Sequence, residues 1–265
     1  MKIAFIGGGN MAEAMVSAIL DKGIASPEAI YISDINEARR QYLEKYQVSV
    51  SDDNEKTARD GDVVVLAVKP QNLAELMDEL NGHLRPEQLV LSIIAGIRLG
   101  MLCQGLNHRA VIRSMPNTPA RIGEGMTVWT ASSVATCAQR KKACSILGSM
   151  GKEIYVADEK FIDMATAISG SGPAYVFLFI ESLVDATVHI GIPKEMAMKL
   201  VLQTVLGSGN FLQKSGMQPA ELREMVTSRG GTTEAALRQF EQSGFSEMVS
   251  KAVVAAFERA KELGE

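Results

Sequence analysis

The chain has little of the chemistry on which metal centres, disulfide scaffolds and nucleic-acid binding depend. Its three cysteines, Cys103, Cys137 and Cys144, are scattered, odd in number and without the spacing of metal ligands. We therefore expect buried free thiols in a reducing cytoplasm, and no metal site. The net charge of -4 offers no basic field to nucleic acid or to an anionic membrane surface.

Long apolar runs and histidines are also scarce. The longest strongly apolar run, 174–180, is far too short to span a bilayer. Met1 leads directly into a predicted strand, so we expect neither a membrane segment nor a signal or transit peptide. The three histidines, at 83, 108 and 189, fit structural roles better than catalytic ones. The lack of an acid–base or nucleophilic set favours hydride transfer, since a cofactor supplies that chemistry itself.

What the sequence does contain is a glycine turn, Gly7-Gly8-Gly9-Asn10-Met11-Ala12, at its very start. The turn lies between the apolar run 2–6 and apolar residues at helical spacing over 15–20. A strand–turn–helix context is the one that the dinucleotide-binding fingerprint requires. Glycine permits the tight turn and lets a pyrophosphate approach the main chain, while the helix start offers N–H groups. We predict a dinucleotide site here, and a simple tight turn is the alternative.

Strand and helix patterns alternate from residue 1 to about 157. The predicted strands are 2–6, 29–33, 63–68, 89–94, 110–113, 126–129 and 153–156. This alternation predicts a Rossmann-like α/β domain over 1–157, with a mainly parallel sheet and helices on both faces. Only helical patterns follow, so we predict an all-helical domain over 158–265. Its apolar helices could bury their faces against a second copy of the chain, and we expect a dimer.

Ligands in such sheets bind beyond the carboxyl ends of the strands. Four stretches fall at predicted strand ends: Asp34, Ala67–Pro70, Ala95–Gly96 and Met115–Pro119. We therefore expect all four to gather at one edge of the sheet.

Two further glycine-rich stretches are candidates for substrate binding. The first, 169–175, is a run of small residues at the junction of the two predicted domains. The second, 228–234, is a polar glycine turn that opens a helix, and its backbone N–H groups suit a small carboxylate. A helix cap with a tight turn is the structural alternative for each stretch.

Taken together, these stretches resemble the pyrroline-5-carboxylate reductases, the enzymes that make proline, over the whole chain. The resemblance is carried by 5–11, 67–70 and 115–119, and most specifically by 169–175 and 219–233. It implies a nicotinamide-binding domain followed by a helical domain that interlocks with a partner subunit. The turn at 228–233 of one subunit would then complete the active site of the other. A larger assembly of dimers is compatible with this arrangement.

The resemblance implies reduction of the small molecule Δ1-pyrroline-5-carboxylate to L-proline by NADPH or NADH. Thr233 is the expected catalytic residue, with its hydroxyl near the ring nitrogen. The expected cofactor contacts are Ile6, Gly7, Gly8, Gly9, Asn10, Met11, Asp34, Asn54, Ala67, Val68, Lys69, Pro70, Ala95, Gly96 and Asn117. The expected substrate contacts are Ser171, Gly172, Ser228, Gly230, Gly231, Thr232 and Thr233.

Two residues depart from the family pattern. Arg229 replaces the proline usual before the two glycines, which affects the entry to the turn. Asp34 stands where many relatives have a small hydroxyl residue, and a carboxylate there favours NADH over the phosphate-bearing NADPH. Arg39 and Arg40 follow in the next predicted helix, where we interpret them as a solvated face rather than as phosphate ligands.

Two other functions remain to be distinguished from this one. A 3-hydroxy-acid dehydrogenase would carry a proton-donating lysine after the glycines at the domain junction, but Val176 occupies that position. A protein that only senses the dinucleotide would not need the glycine–threonine turn at 230–233.

Overall fold

The computed structural model of the chain describes residues 1–264. Two compact units make it up: residues 1–171 together with the carboxyl-terminal residues from 256, and residues 172–255. The predicted boundary between 157 and 158 follows shortly after the last strand. The first compact unit extends beyond that point, as far as residue 171.

The first unit contains the strands. Within residues 1–264 they are β1 to β8, spanning Ile3–Ile6, Ile30–Ser33, Ser49–Ser51, Val63–Leu66, Leu89–Ser92, Val111–Met115, Gly125–Ala131 and Gly151–Tyr155. Helices α1 to α7 span Asn10–Asp21, Glu37–Leu43, Asn54–Asp60, Leu73–Leu80, Leu99–Gly105, Cys137–Gly148 and Lys160–Ala165. Short 3₁₀ turns span Pro27–Ala29, Glu44–Tyr46, Pro70–Asn72 and Thr118–Ile122, and a π-helical turn spans Thr166–Gly170.

All of these strands form one sheet, in the order β3-β2-β1-β4-β5-β6-β7-β8. Every neighbouring pair is parallel except β6 and β7, which are antiparallel. The connection from β6 to β7 contains a 3₁₀ turn and no crossover helix, and a parallel pairing would need a longer crossover. The predicted mainly parallel α/β fold is confirmed.

The two faces of the sheet are buried under different helices because successive side chains of a strand point to opposite faces. Ile3 and Phe5 of β1 join a core that contains apolar residues of α1, α2 and α6. Ala4 and Ile6 join a second core, built with residues of α3, α4 and α5. This burial on both faces explains why the central strands read as continuous apolar runs in the sequence.

Three details differ from what the sequence predicts. Strand β3 was not predicted, because it has three residues and lies at the edge of the sheet, where it buries little apolar surface. The cysteines are free but not buried: Cys137 is exposed at the start of α6, and the other two are half-buried. His108 is buried, which the polar residues beside it in the sequence do not indicate, and its ring lies 2.9 Å from the carbonyl of Gln88.

The second unit is helical. Helices α8 to α12 span Gly172–His189, Lys194–Ser215, Pro219–Met225, Thr232–Gln242 and Phe245–Glu262, the last of which runs on into the first unit. The helical block after the sheet is confirmed. Its own core is small and contains Val184, Ala197 and Val201, while many large apolar side chains of α8 and α9 are exposed.

One helical stretch, Lys160–His189, is long and apolar enough to cross a membrane by length and composition alone. The length of the uninterrupted apolar run 174–180 does not reveal this property. A few polar residues interrupt the longer stretch, but its mean hydropathy stays apolar. A helix whose apolar surface is covered by other protein passes the same test, so the stretch is weak grounds for a membrane span.

Candidate active site

The glycine turn joins the carboxyl ends of three neighbouring strands. Gly7 has a φ of +97°, and a Cβ atom at this position would lie 2.8 Å from the carbonyl oxygen of Ala67, just after β4. The Gly7 N–H donates to the carbonyl of Ser33, the last residue of β2, at 2.8 Å. Only glycine fits a left-handed position that is so close to a neighbouring main chain.

Asp34 holds the second glycine of the turn. One of its carboxylate oxygens accepts a hydrogen bond from the Gly8 N–H at 2.9 Å, and the other accepts from the Asn36 N–H at 2.9 Å. The carboxylate therefore shapes the turn in addition to facing the space beyond β2. An acid at this position is the one expected to bind an adenosine ribose.

The third glycine leaves the start of α1 open. Gly9 is the N-cap residue, and within the described chain a Cβ on it would meet nothing within 4 Å. None of the side chains in residues 1–264 caps this helix start, so N–H groups of its first turn are available to an anion. Ala12 is fully buried, which allows the helix to pack closely on the strand. A pyrophosphate group fits these features.

Arg39, on α2, lies against the glycine turn. Its Nε donates to the carbonyl of Gly8, and one terminal nitrogen lies 3.3 Å from the Gly9 carbonyl. The same nitrogen forms a 2.7 Å ion pair with Glu13, on α1. The guanidinium therefore links the turn to the helix that follows it.

Arg40 is held in a similar way. It donates to the carbonyl of Asp34 at 2.7 Å and lies 3.9 Å from the carboxylate of Asp52. The side chains of Arg39 and Arg40 are only 21% and 20% exposed. The interpretation of these residues as a solvated helix face is wrong, because the pairing of β1 with β2 places the start of α2 against the glycine turn.

Glu13 is the centre of this support. Its carboxylate also accepts hydrogen bonds from Lys45 and from the hydroxyl of Tyr46, each at 3.0 Å. Burial of the carboxylate raises its pKa, but hydrogen bonds with Arg39, Lys45, Tyr46 and Tyr42 outweigh burial and lower the pKa to about 2. A buried, charged Glu13 was not expected from the sequence, where it is one acidic residue in a helix.

A cavity of about 840 Å³ lies beyond the carboxyl ends of β1, β2 and β4. Seven of the expected cofactor contacts line it, namely Gly7, Gly9, Asp34, Asn54, Ala67, Val68 and Lys69. Three acids that were not predicted line it as well, namely Asp52, Glu75 and Glu79. Lys69 is the only cation among the described residues that line it. The cavity is the size of a nucleotide-binding cleft and has an acidic wall.

Asn54 and the loop after β5 have partners of their own. The amide of Asn54, at the start of α3, donates to Glu79 at 2.8 Å. Gly96 has a φ of +78°, and a Cβ on it would lie 2.7 Å from the carbonyl oxygen of Leu263. Ala95 and Gly96 thus lie near the carboxyl-terminal residues of the first unit and do not line the cavity.

Asn117 follows β6 and uses both ends of its amide within the protein. Its Nδ2 donates to the carbonyl of Ser169 at 2.9 Å, and its Oδ1 accepts from the Met126 N–H at 2.8 Å. The remaining expected cofactor contacts, Ile6, Gly8, Asn10, Met11 and Pro70, adjoin the cavity-lining residues in sequence.

The predicted substrate turn forms in the second unit as a sharp helix start. Gly230 has a φ of +75°, and a Cβ on Gly231 would lie 2.5 Å from the hydroxyl of Ser228. The Gly231 N–H donates to the Ser228 carbonyl at 3.0 Å, so it already has a partner. Thr232 and Thr233 begin α11 after the N-cap residue Gly231, which makes no side-chain cap, while the Glu234 carboxylate accepts a hydrogen bond from the Gly230 N–H at 2.7 Å. Their N–H groups can meet a carboxylate.

Comparisons with known proteins agree over the full length. The family model described as pyrroline-5-carboxylate reductase dimerisation matches residues 159–263, and one described as NADP oxidoreductase, coenzyme F420-dependent, matches 2–96. The chain is 43% identical to the pyrroline-5-carboxylate reductase of Synechocystis sp., covering 100% of this chain and 98% of that one. Identity to the enzyme of Pseudomonas aeruginosa is 40%, covering 100% and 97%. The chain belongs to the pyrroline-5-carboxylate reductase family.

Solved structures of pyrroline-5-carboxylate reductases have the same fold. The structure from Coxiella burnetii is 37% identical with a TM-score of 0.89, covering 100% of this chain and 98% of that one. The Plasmodium falciparum structure, which has NADP bound, is 33% identical with a TM-score of 0.92 over the same shares. The predicted family and its enzyme class, an NAD(P)-dependent oxidoreductase, are confirmed. The hydroxy-acid dehydrogenase and the nucleotide sensor are set aside.

Proposed function

We propose that this protein reduces Δ1-pyrroline-5-carboxylate to L-proline, with the glycine turn and the cleft beyond β1, β2 and β4 holding NAD(P)H. The observation that carries the proposal is that helices α1 and α11 each follow a glycine turn and begin at a glycine N-cap, which leaves room for an anion at both helix starts. The first, at α1, fits the pyrophosphate of a dinucleotide. The second, at α11, fits a small carboxylate such as that of the substrate.

The reaction needs little acid–base help from the protein. Bound NAD(P)H would supply the hydride for the imine carbon and would itself be oxidised, so that the C=N bond is reduced to a C–N bond. A protonated cyclic imine is already electrophilic, so a hydroxyl that hydrogen-bonds near the ring nitrogen is sufficient. We assign this role to Thr233, with the N–H groups of Thr232 and Thr233 binding the carboxylate. Ser171, Gly172, Ser228, Gly230 and Gly231 shape the substrate site in this proposal.

The first test is turnover itself. Purified protein is given pyrroline-5-carboxylate with NADH or NADPH at equal concentration, and loss of the reduced cofactor is followed by its absorbance. Formation of proline is measured in parallel. Turnover with at least one cofactor is expected, and its absence with both would overturn the proposal.

The second test isolates the Thr233 hydroxyl. Thr233→Val keeps the shape but removes the donor, so kcat/KM should fall by about tenfold to a hundredfold, as for an unpaired polar partner. Thr204→Val is the matched control, because its hydroxyl only donates to the carbonyl of Leu200 on the exposed helix α9, at 2.8 Å. If both folded variants keep wild-type kinetics, Thr233 is a helix-start residue and no more.

The helical unit is proposed to form an interlocked homodimer. Such dimers can also associate into a larger assembly. Four consecutive apolar residues of α8, Val176, Phe177, Leu178 and Phe179, are 41–63% exposed. Exposed apolar surface of this extent is typical of an interface, and the matching family model is named for dimerisation. Phe177→Asp should therefore reduce the measured mass by light scattering. Ile122→Asp, at a 78% exposed apolar residue outside this unit, should leave it unchanged.

The sharing of active sites between subunits has its own test. We propose that the α11 turn of one subunit completes the site of the other. A variant with a defective cleft, Gly7→Ala, and the Thr233→Val variant would be co-expressed with different tags and their hybrid purified. Mixing of subunits restores one intact site of the two in each hybrid dimer, so the purified hybrid should have about half of wild-type activity. Hybrids without recovered activity would mean that each subunit completes its own site.

Cofactor choice is proposed to lean towards NADH. The carboxylates of Asp34, Asp52 and Glu79 line the cleft, and like charges would repel the 2′-phosphate of NADPH. Asp34→Asn removes the charge and keeps an acceptor for the Gly8 N–H. Asp34→Ser removes the charge and also part of the hydrogen bonding to the Gly8 and Asn36 N–H groups. Both should shift the ratio of kcat/KM values towards NADPH, by about tenfold or more. A strong wild-type preference for NADPH, unchanged in both variants, would contradict this.

The compartment also stays a prediction. The thiols of all three cysteines are free, which suits the expected reducing cytoplasm.

A further inference from the structure

The link between the sheet and α8 is a π-helical turn, Thr166–Gly170, rather than a regular helix. The Ser171 N–H donates to the carbonyl of Thr166, five residues earlier, at 2.8 Å. The hydroxyl of Ser169 donates back to the carbonyl of Ala165 at 3.0 Å. Single π turns of this kind are frequently found at functional sites. This one directly precedes Ser171, which we assign to the substrate site.

A side chain from the loop after β6 holds this turn. The Nδ2 of Asn117 donates to the carbonyl of Ser169 at 2.9 Å, while its Oδ1 accepts from the Met126 N–H at 2.8 Å. One amide therefore connects the loop after β6, the start of β7 and the π turn. Because both Nδ2 and Oδ1 have protein partners, these two hydrogen bonds fix the orientation of the Asn117 side chain.

Helix α7, which leads into the π turn, is fixed to strand β6. Arg113 of β6 is 2% exposed and donates to Glu159 at 2.8 Å and to Asp163 at 2.6 Å. Glu159 also accepts from the Leu99 N–H, at 2.8 Å, at the start of α5. Strand β6 thus fixes the start of α7 through the ion pairs of Arg113, and the loop after β6 fixes the π turn through Asn117.

We propose that Asn117 is a positioning residue for the substrate side of the reaction. Its amide fixes the carbonyl of Ser169 and through the π turn the place of Ser171, and it binds neither cofactor nor substrate with its side chain. The inference rests on the proposed reduction, since Ser171 has its role only there. It replaces the sequence expectation that the Asn117 side chain contacts the cofactor.

The test uses the nearly isosteric variant Asn117→Asp. The aspartate keeps the acceptor for the Met126 N–H but turns a carboxylate oxygen towards the carbonyl of Ser169, where the wild type has a donor. Two acceptors in contact repel, and protonation of the carboxyl restores a donor. At pH 8, kcat/KM for pyrroline-5-carboxylate should fall by about tenfold or more, mainly through KM. The ratio of variant to wild type should recover as the pH is lowered towards 5.

Direct binding of NADH and NAD⁺ by titration is the second measurement. A positioning role leaves the dissociation constants of both within about twofold of wild type. A direct cofactor contact would weaken them together with turnover, and that result would overturn the proposal. Asn107→Asp is the matched control, the same chemical change on an exposed turn, and its ratio to wild type should be flat with pH.

Two outcomes separate this inference from the function beneath it. If the wild type does not turn over, the proposed reduction fails. If the wild type turns over and Asn117→Asp matches it at every pH, the positioning role fails while the function stands. A variant that loses activity equally at all pH values, with a lowered melting temperature, would show that Asn117 only stabilises the fold and would also overturn the role.

Discussion

The buried carboxylate of Glu13 should make the free energy of unfolding depend on pH, and Glu13→Gln should remove this part of the pH dependence. Its side chain is 10% exposed, and Arg39 and Lys45 approach it at 2.7 and 3.0 Å. Burial opposes the charge, but the hydrogen bonds outweigh it and lower the pKa from 4.5 to about 2. Since each unit of pKa shift corresponds to about 1.4 kcal/mol, the charged form contributes about 3 kcal/mol to folding.

The sign of the effect follows from the direction of the shift. A carboxyl whose pKa is lower in the folded state stabilises the protein fully above its unfolded pKa, and this contribution is lost as the pH falls towards 2. Glu13→Gln should therefore lower the free energy of unfolding by about 3 kcal/mol at pH 7. By pH 3, about half of that difference should have disappeared, because the carboxyl is then protonated in the unfolded chain although it is still mostly charged in the folded protein.

The assay is urea denaturation of wild type and variant at one protein concentration and at several pH values from 7 to 3. Glu44→Gln, at an exposed residue next to Lys45 in the sequence, is the control, and it should change stability by less than about 0.5 kcal/mol. NADH affinity provides an independent readout, since Arg39 connects Glu13 to the carbonyls of Gly8 and Gly9. If the difference between Glu13→Gln and wild type is the same at every pH, the reasoning is refuted.

Three further substitutions test other parts of the structure. Gly7→Ala adds a Cβ only 2.8 Å from the carbonyl of Ala67 at a φ of +97°, so NADH binding should weaken and the melting temperature should fall, as two calorimetric measurements would show. Arg113→Met leaves two carboxylates without their buried partner and should lower the free energy of unfolding by about 3–5 kcal/mol, measured in urea; an unchanged midpoint would contradict this. Glu79→Gln removes one charge from the cleft and keeps an acceptor for Asn54, so the NADPH to NADH ratio of kcat/KM should rise without loss of NADH activity.

The sequence by itself determined the order of the secondary structure and the location of the nucleotide turn. Those features depend on local patterns: apolar runs for strands buried on both faces, helical spacing for the helices, and glycine where a φ of +97° is required at Gly7. The glycine–threonine turn at 228–233 is local in the same sense, since its glycines and the helix start are adjacent in the chain. The family resemblance rests on these same short stretches.

The sequence did not determine which side chains support the site. Arg39 and Glu13 are 26 residues apart, and Asn117 and Ser169 are 52 apart, so nothing in their local patterns indicates that they meet. Only the pairing of β1 with β2 brings α2 to the glycine turn, and only the position of α7 beside β6 brings the π turn to Asn117. The edge strand β3 was missed for a related reason: with three residues, its strand conformation comes from pairing with β2 rather than from its own apolar pattern.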